Sequence, residues 1–226
     1  MTTAPDAWHS DRLDLGGYLA RLGVPDRSAS RAALDELHEQ HVRTFTFDNI
    51  DVLLRQHPGV SLDAVQEKFV GRGRGGYCFE HSTILAAALD QLGYSVTRRL
   101  ARVGDPARGA VSGRTRLVVE VALDGARLLC DPGFGLSILH PIALLDGLDE
   151  VQEGRRFLVS RVDDGGLAAW QLSRLRNGSW EVQHTTDALP ARPSDVELGH
   201  HYTSTSPDSH FPRQDSSLPG RSVTGT

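Results

Sequence analysis

Apolar residues in the first third of the chain recur at helical spacing. Leu15, Tyr18, Leu19 and Leu22 form one stripe, and Ala33, Leu34, Leu37, His38 and His41 form a second. Gly23, Val24 and Pro25 break the pattern between them. Ser61 is a suitable N-cap for a third helix through Val65, Lys68 and Phe69, ended by the glycine-rich stretch 71–76. Ile84, Leu85, Ala88, Leu89 and Leu92 then predict an amphipathic helix that stops at Gly93. From Tyr94 the period changes, with strand-like runs at 117–123, 126–130, 156–162, 168–175 and 180–183. The second half is therefore predicted to be mostly antiparallel sheet, and the whole chain α+β. Beyond Asp187 the sequence is rich in Pro, Ser, Asp and His, and 214–226 carries almost no core-forming residue, which predicts a disordered tail.

A chain of 226 residues can form one large domain or two small ones. With 39% hydrophobic and 23% charged residues and a formal charge of -5, it has the balance of an ordinary globular protein, and neither nucleic acid nor a membrane is expected as partner. No run approaches the ~18 apolar residues of a membrane span, and the expected location is the cytoplasm. Cys78 and Cys130 are the only cysteines, and neither lies in a Cys-x-x-Cys pair, so neither a disulfide nor a zinc site is predicted. His200, His201 and His210 lack a second ligand cluster, and no metal is expected.

The chemistry concentrates in two segments. In the first, Arg72 to His81, a cysteine follows a basic, glycine-rich loop and opens a helix. Helix N-termini and guanidinium groups both favour the thiolate, so Cys78 is a candidate nucleophile; the alternative is a small buried hydrophobe. The G-x-G-x-x-G match at 71–76 follows a helix rather than a strand, and its glycines are read as permitting close backbone approach around Cys78.

In the second segment Asp124-Gly125 joins two strand-like runs as a two-residue hairpin loop. That loop pairs Leu123 with Ala126, Val121 with Leu128, Val118 with Asp131 and Arg116 with Gly133. Arg116 then becomes the diagonal neighbour of Asp131. A Cys-His-Asp thiol enzyme would need an imidazole at position 116. Arginine there admits two readings, an ion pair with Asp131 that stabilises a former site or a residual catalytic role. His81 and His140 are the remaining histidines near these segments, each read more simply as a helix-surface or loop residue.

Together these pieces resemble the arylamine N-acetyltransferases. Arg74-Gly75-Gly76-Tyr77-Cys78 resembles the family's nucleophile loop, Thr115-Arg116-Leu117 its Thr-His-Leu strand, and Asp131-Pro132-Gly133-Phe134-Gly135 its acidic turn. Phe45 to Asp51 and His201 to Thr205 match further family segments, and the likeness runs in order from about Leu13 to Phe211. The resemblance implies a helical domain over 1–92, a β-barrel-like domain over 93–186, and a linker with a truncated lid domain over 187–226. It implies acetyl-CoA as acyl donor, Cys78 as acyl acceptor, Asp131 as orienting carboxylate, and an arylamine or hydrazine as final acceptor. Phe134, Leu136 and Ile138 fall where the acceptor pocket is expected, and Gly133 near the CoA path. With Arg116 at the family's histidine position, impaired transfer is expected. The alternatives are a catalytically silent relative that binds a ligand or partner, and a relative that forms polyketide amides. The truncated lid side is expected to be exposed or covered by a second copy of the chain.

Overall fold

The computed structural model describes residues 6–105, 113–135 and 138–209. The two apolar stripes form helices α1 (Leu15–Leu22) and α2 (Arg31–Thr44). Asp14 caps the first by accepting from the Gly17 N–H at 2.9 Å, and Ser30 caps the second through the Ala33 N–H at 3.2 Å. A short α3 (Ile50–Leu53) follows. Ser61 caps α4 (Leu62–Gln66) as anticipated, but the helix then widens into a π-helical turn over Glu67–Gly71. The amphipathic helix is α5 (Cys78–Gln91), with Cys78 as its first residue.

A last helix, α6 (Pro193–Thr205), lies in the stretch that composition marked only as polar. Its start is set by Pro193 at the first helical position and by Asp195, which accepts from the Arg192 N–H at 2.8 Å. Its buried side is Val196, Gly199 and Thr203, a stripe at helical spacing but too small and polar to register as apolar periodicity.

Eight strands form one antiparallel sheet: β1 (Ser95–Val103), β2 (Arg114–Leu123), β3 (Ala126–Cys130), β4 (Ile142–Ala143), β5 (Leu148–Gln152), β6 (Arg155–Asp164), β7 (Leu167–Arg176) and β8 (Ser179–Pro190). Their order is β4-β3-β2-β1-β8-β7-β6-β5, two meanders joined where β1 pairs with β8. Register shifts at Arg99/Ala101, Ala101/Arg102 and Leu172/Ser173 place irregularities where the sheet must curl. The Gln152 side chain ties β5 to the segment before β4, accepting from the Leu139 and His140 N–H groups at 2.7 and 3.0 Å. The result is a nearly closed, barrel-like sheet.

Alternation along β2 and β3 separates two cores. Val119, Val121, Leu128 and Cys130 face α1, α2, α4 and α5, where they meet Leu34, Leu37, Ile84, Leu85 and Leu89. Val118 and Leu129, one residue out of phase, face the curled interior with Phe157, Val159 and Leu172. Full burial of each such side chain contributes on the order of 1.5–3 kcal/mol. The interior face also carries Arg116, Glu120 and Asp131, charged residues that must be paired to be tolerated there.

Candidate active site

The start of α5 is held by a buried carboxylate. Glu80 accepts from the Tyr77 N–H at 3.0 Å, so the helix's own third residue caps the turn that presents Cys78. Lys68, carried inward by the π-helical turn, donates to Glu80 at 2.9 Å and reaches Asp51 at 2.8 Å. His57 lies 3.2 Å from the other Glu80 oxygen, and Arg74 pairs with Asp51 at 3.1 Å. Helix α6 closes this side, with His200 hydrogen-bonded to the Tyr77 hydroxyl and its ring 4.5 Å from that of His57.

Glycine is required where chains meet at the thiol. A Cβ on Gly75 would sit 1.7 Å from the Thr46 carbonyl oxygen, and one on Gly133 would sit 2.7 Å from the Cys78 Cα. Within the glycine-rich loop it is Gly75 that serves close backbone approach, to Thr46.

Cys78 packs among Val52, Val60, Tyr77, Phe79, Leu100, Leu117 and Val196, with Sγ 4.0 Å from the Thr115 carbonyl oxygen. The sequence left two readings of this cysteine open, a thiolate favoured by its basic helix-start setting and a small buried hydrophobe, and the surroundings bear on both. Burial pushes the thiol pKa up to about 11, and the nearby Arg116 charge only partly offsets it. Cys130 is wholly enclosed in the helix–sheet core, and burial pushes its thiol higher still.

On the opposite side of the site, the hairpin forms in the anticipated register, from Leu123↔Ala126 to Val119↔Cys130. Asp124 and Gly125 have φ of 50° and 78°, as a type I′ turn requires. Arg116 consequently reaches its diagonal neighbour: Nη2 donates to Asp131 Oδ1 and Nη1 to the Gly133 carbonyl at 3.2 Å. The guanidinium also lies 4.4 Å from the Phe134 ring centroid. Only 2% exposed, Arg116 is the largest fully buried side chain, and its Nε has no hydrogen-bond partner among the described residues.

Asp131 is fixed from three directions. Besides Arg116, its N–H donates to His38 Nε2 at 3.1 Å, and His38 Nδ1 in turn donates to the Leu139 carbonyl at 2.9 Å. His184 on β8 places Nε2 3.2 Å from Asp131 Oδ2, off the axis of a full hydrogen bond. Burial alone would raise the carboxyl pKa; the Arg116 charge and then His184 outweigh it and hold the group at about 2. Sequence reasoning missed His38 and His184 as site residues. His38 was counted only as part of an apolar stripe, and His184 sits in a strand with no motif around it.

The other candidates separate. His81, expected on a helix surface, is buried instead, with Nδ1 2.8 Å from His41 Nε2, and His41 bonds the Tyr18 hydroxyl at 2.6 Å. His140 is partly exposed, 4.0 Å from Glu39. Gly133 packs against the Cys78 backbone and the His81 Cβ, and Phe134 on Arg116. Ile138 is buried with the sheet-interior residues, while Leu136 and His210 lie outside the described residues. Among the described residues no group of three His, Cys, Asp or Glu side chains is disposed to hold a metal ion. No described helix is long and apolar enough to cross a membrane.

Chemically, the site offers a buried thiol, a cation beside it and an ionised carboxylate behind the cation. Arginine has no usable lone pair and stays protonated, so position 116 can compensate negative charge but cannot accept the thiol proton.

Comparison with known proteins gives a consistent result. A family model described as N-acetyltransferase matches residues 31–220. An arylamine N-acetyltransferase of Mycolicibacterium smegmatis is 36% identical over 210 residues, covering 88% of this chain and 74% of that protein. Another, of Escherichia coli (strain K12), is 30% identical over 200 residues, covering 87% and 69%. The solved arylamine N-acetyltransferase from Mycobacterium abscessus superposes with a TM-score of 0.86 at 32% identity, over 93% of this chain and 76% of that one. The enzyme from Mycobacterium marinum, solved in complex with CoA, gives 0.78 at 29% identity, over 88% and 74%.

Proposed function

Because the chain belongs to the arylamine N-acetyltransferase family, we propose that it transfers an acetyl group from acetyl-CoA, through a thioester on Cys78, to an arylamine or hydrazine, and that Arg116 slows the transfer. In the first half-reaction Cys78 Sγ attacks the thioester carbonyl, a new C–S bond replaces the bond to CoA, and the thiol proton leaves with the CoA sulfur. In the second, the amine nitrogen attacks the acyl carbon, the Cys78 thiol is regenerated, and the acceptor gives up one proton. An imidazole at position 116 would carry both protons. The observation that supports the reading is the buried Arg116–Asp131 pair, whose charges act on Cys78, with a carboxylate behind a side chain that cannot act as base. We assign Phe134 and Ile138, with Leu136 between them, to the acceptor side and Gly133 to the CoA side.

The raised Cys78 thiol and the closed ion pair favour a second reading, a relative that binds CoA without acylating. Intact-mass measurement after mixing with acetyl-CoA distinguishes the two. Slow gain of a single acetyl group, absent in Cys78→Ala and discharged by an added arylamine, supports transfer. Calorimetric binding of CoA with no acetyl gain over hours identifies the silent relative.

A further inference from the structure

We infer that His184 is the positioning residue of Asp131: its imidazole holds Oδ2 and so presents Oδ1 to whatever side chain stands at position 116. This rests on the reading of Cys78 and Asp131 as the reacting side of the site. The two carboxylate oxygens are divided between two strands, with Arg116 of β2 on Oδ1 and His184 of β8 at 3.2 Å from Oδ2.

The tautomer follows from the partners. An ionised carboxylate oxygen only accepts, and a lone pair 3.2 Å away would be repelled, so His184 Nε2 carries the hydrogen. Its Nδ1 is then the acceptor, and the Thr186 hydroxyl at 3.2 Å is its donor. The ring is completely enclosed, and burial holds it in the neutral form. The charged groups around it are Asp131 after β3 and Arg116 on β2, with Arg99 of β1 and Glu120 of β2 lining the same small interior void. Arg99 and Glu120 satisfy each other at 2.7 Å, and Glu120 also binds Arg127, so neither is drawn to the imidazole.

A neutral N–H 3.2 Å from Oδ2, though off the axis of a full hydrogen bond, compensates part of the Asp131 charge without adding a second cation. Arg116 and Asp131 therefore remain a balanced pair. Losing the donor leaves more of the Asp131 charge uncompensated near Cys78, which disfavours the thiolate.

The experiment is the pH profile of Cys78 alkylation by iodoacetamide, read by peptide mapping, which needs no acetyl-CoA and is independent of whether acyl transfer occurs. His184→Leu is expected to slow labelling about 3- to 10-fold near pH 9 and to shift the profile upward, one pKa step being tenfold. His184→Gln, whose amide can still donate, should run close to the parent. An unchanged profile in a folded His184→Leu, or no rescue by glutamine, overturns the inference. Should the leucine variant not fold, nitrogen-15 spectra of the parent decide: an Nε2-protonated neutral ring supports the inference, and an Nδ1-protonated ring or a cation overturns it.

Discussion

Two buried carboxylates flank Cys78, and each is held by one cation and one histidine. Glu80 has Lys68 and His57; Asp131 has Arg116 and His184. Their surroundings differ. Lys68 is shared with Asp51, which is itself paired with Arg74, so the Glu80 cluster extends to the surface and spends one oxygen on the Tyr77 N–H. The Asp131 pair is closed: among the described residues the guanidinium is otherwise shared with the Gly133 carbonyl and the Phe134 ring face. Similar ingredients thus fix a turn on one side of the thiol and, on the other, aim a charge toward it. On the proposed reading, what separates support from chemistry is the side chain the carboxylate faces, and at position 116 that side chain is arginine.

The sharpest way to break this comparison is Arg116→His. If Asp131 is already oriented, an imidazole should recover general-base assistance and raise acetyl transfer to an arylamine by ~10²–10⁴-fold. Steady-state rates with acetyl-CoA across neutral pH, with Cys78→Ala as control, measure it. A folded variant that binds CoA but gains nothing would show that orientation of Asp131 is not what the site lacks.

Removing each acid in turn tests the two sides by stability. Asp131→Asn leaves Arg116 buried without a counter-charge and should cost ~3–5 kcal/mol. Glu80→Gln leaves Lys68 its contact with Asp51 and retains an acceptor for the Tyr77 N–H, so a smaller loss of ~1–3 kcal/mol is expected. Urea unfolding of both variants gives the ratio, and equal costs would contradict the contrast between a closed and a shared pair.

The smallest expected effect is the pH dependence of stability. His38 and His81 are each pushed by burial down to about 4, below the unfolded value, so the folded state binds fewer protons in that range. Stability they contribute is complete above about pH 6.5 and declines as pH falls toward 4. Asp131, depressed to about 2, contributes stability that is present above about pH 4 and is lost only as pH falls through 2. Urea midpoints should therefore fall in two stages, histidines first and the carboxylate second. A flat midpoint between pH 7 and 4 would refute the first stage.

Much of this was legible in the chain. Asp124-Gly125 fixed the register that brings Arg116 to Asp131, because a two-residue loop leaves one alternation in phase. The glycines before Cys78 signalled close approach for the same local reason. What stayed hidden depended on distant partners. Strand β1 escaped notice because Arg98, Arg99 and Arg102 interrupt its apolar residues, and each is neutralised by an acid remote in sequence or on another element. Helix α6 hides its buried side in Gly199 and Thr203. His184 has no local signature because its role is defined by Asp131, and the thiol's raised pKa follows from enclosure by elements that the cysteine's own neighbours do not encode.

The docking of α6 has a consequence for how the protein is made. Val196 and Gly199 pack against the start of α5, and His200 bonds Tyr77, so the surroundings of Cys78 are completed by residues more than a hundred positions downstream. During synthesis the helices and both meanders can emerge while Tyr77 still lacks this cover. The turn that presents Cys78 is then among the last parts of the molecule to be finished, and ribosome-bound chains stalled before and after α6 should differ in how readily Cys78 is alkylated.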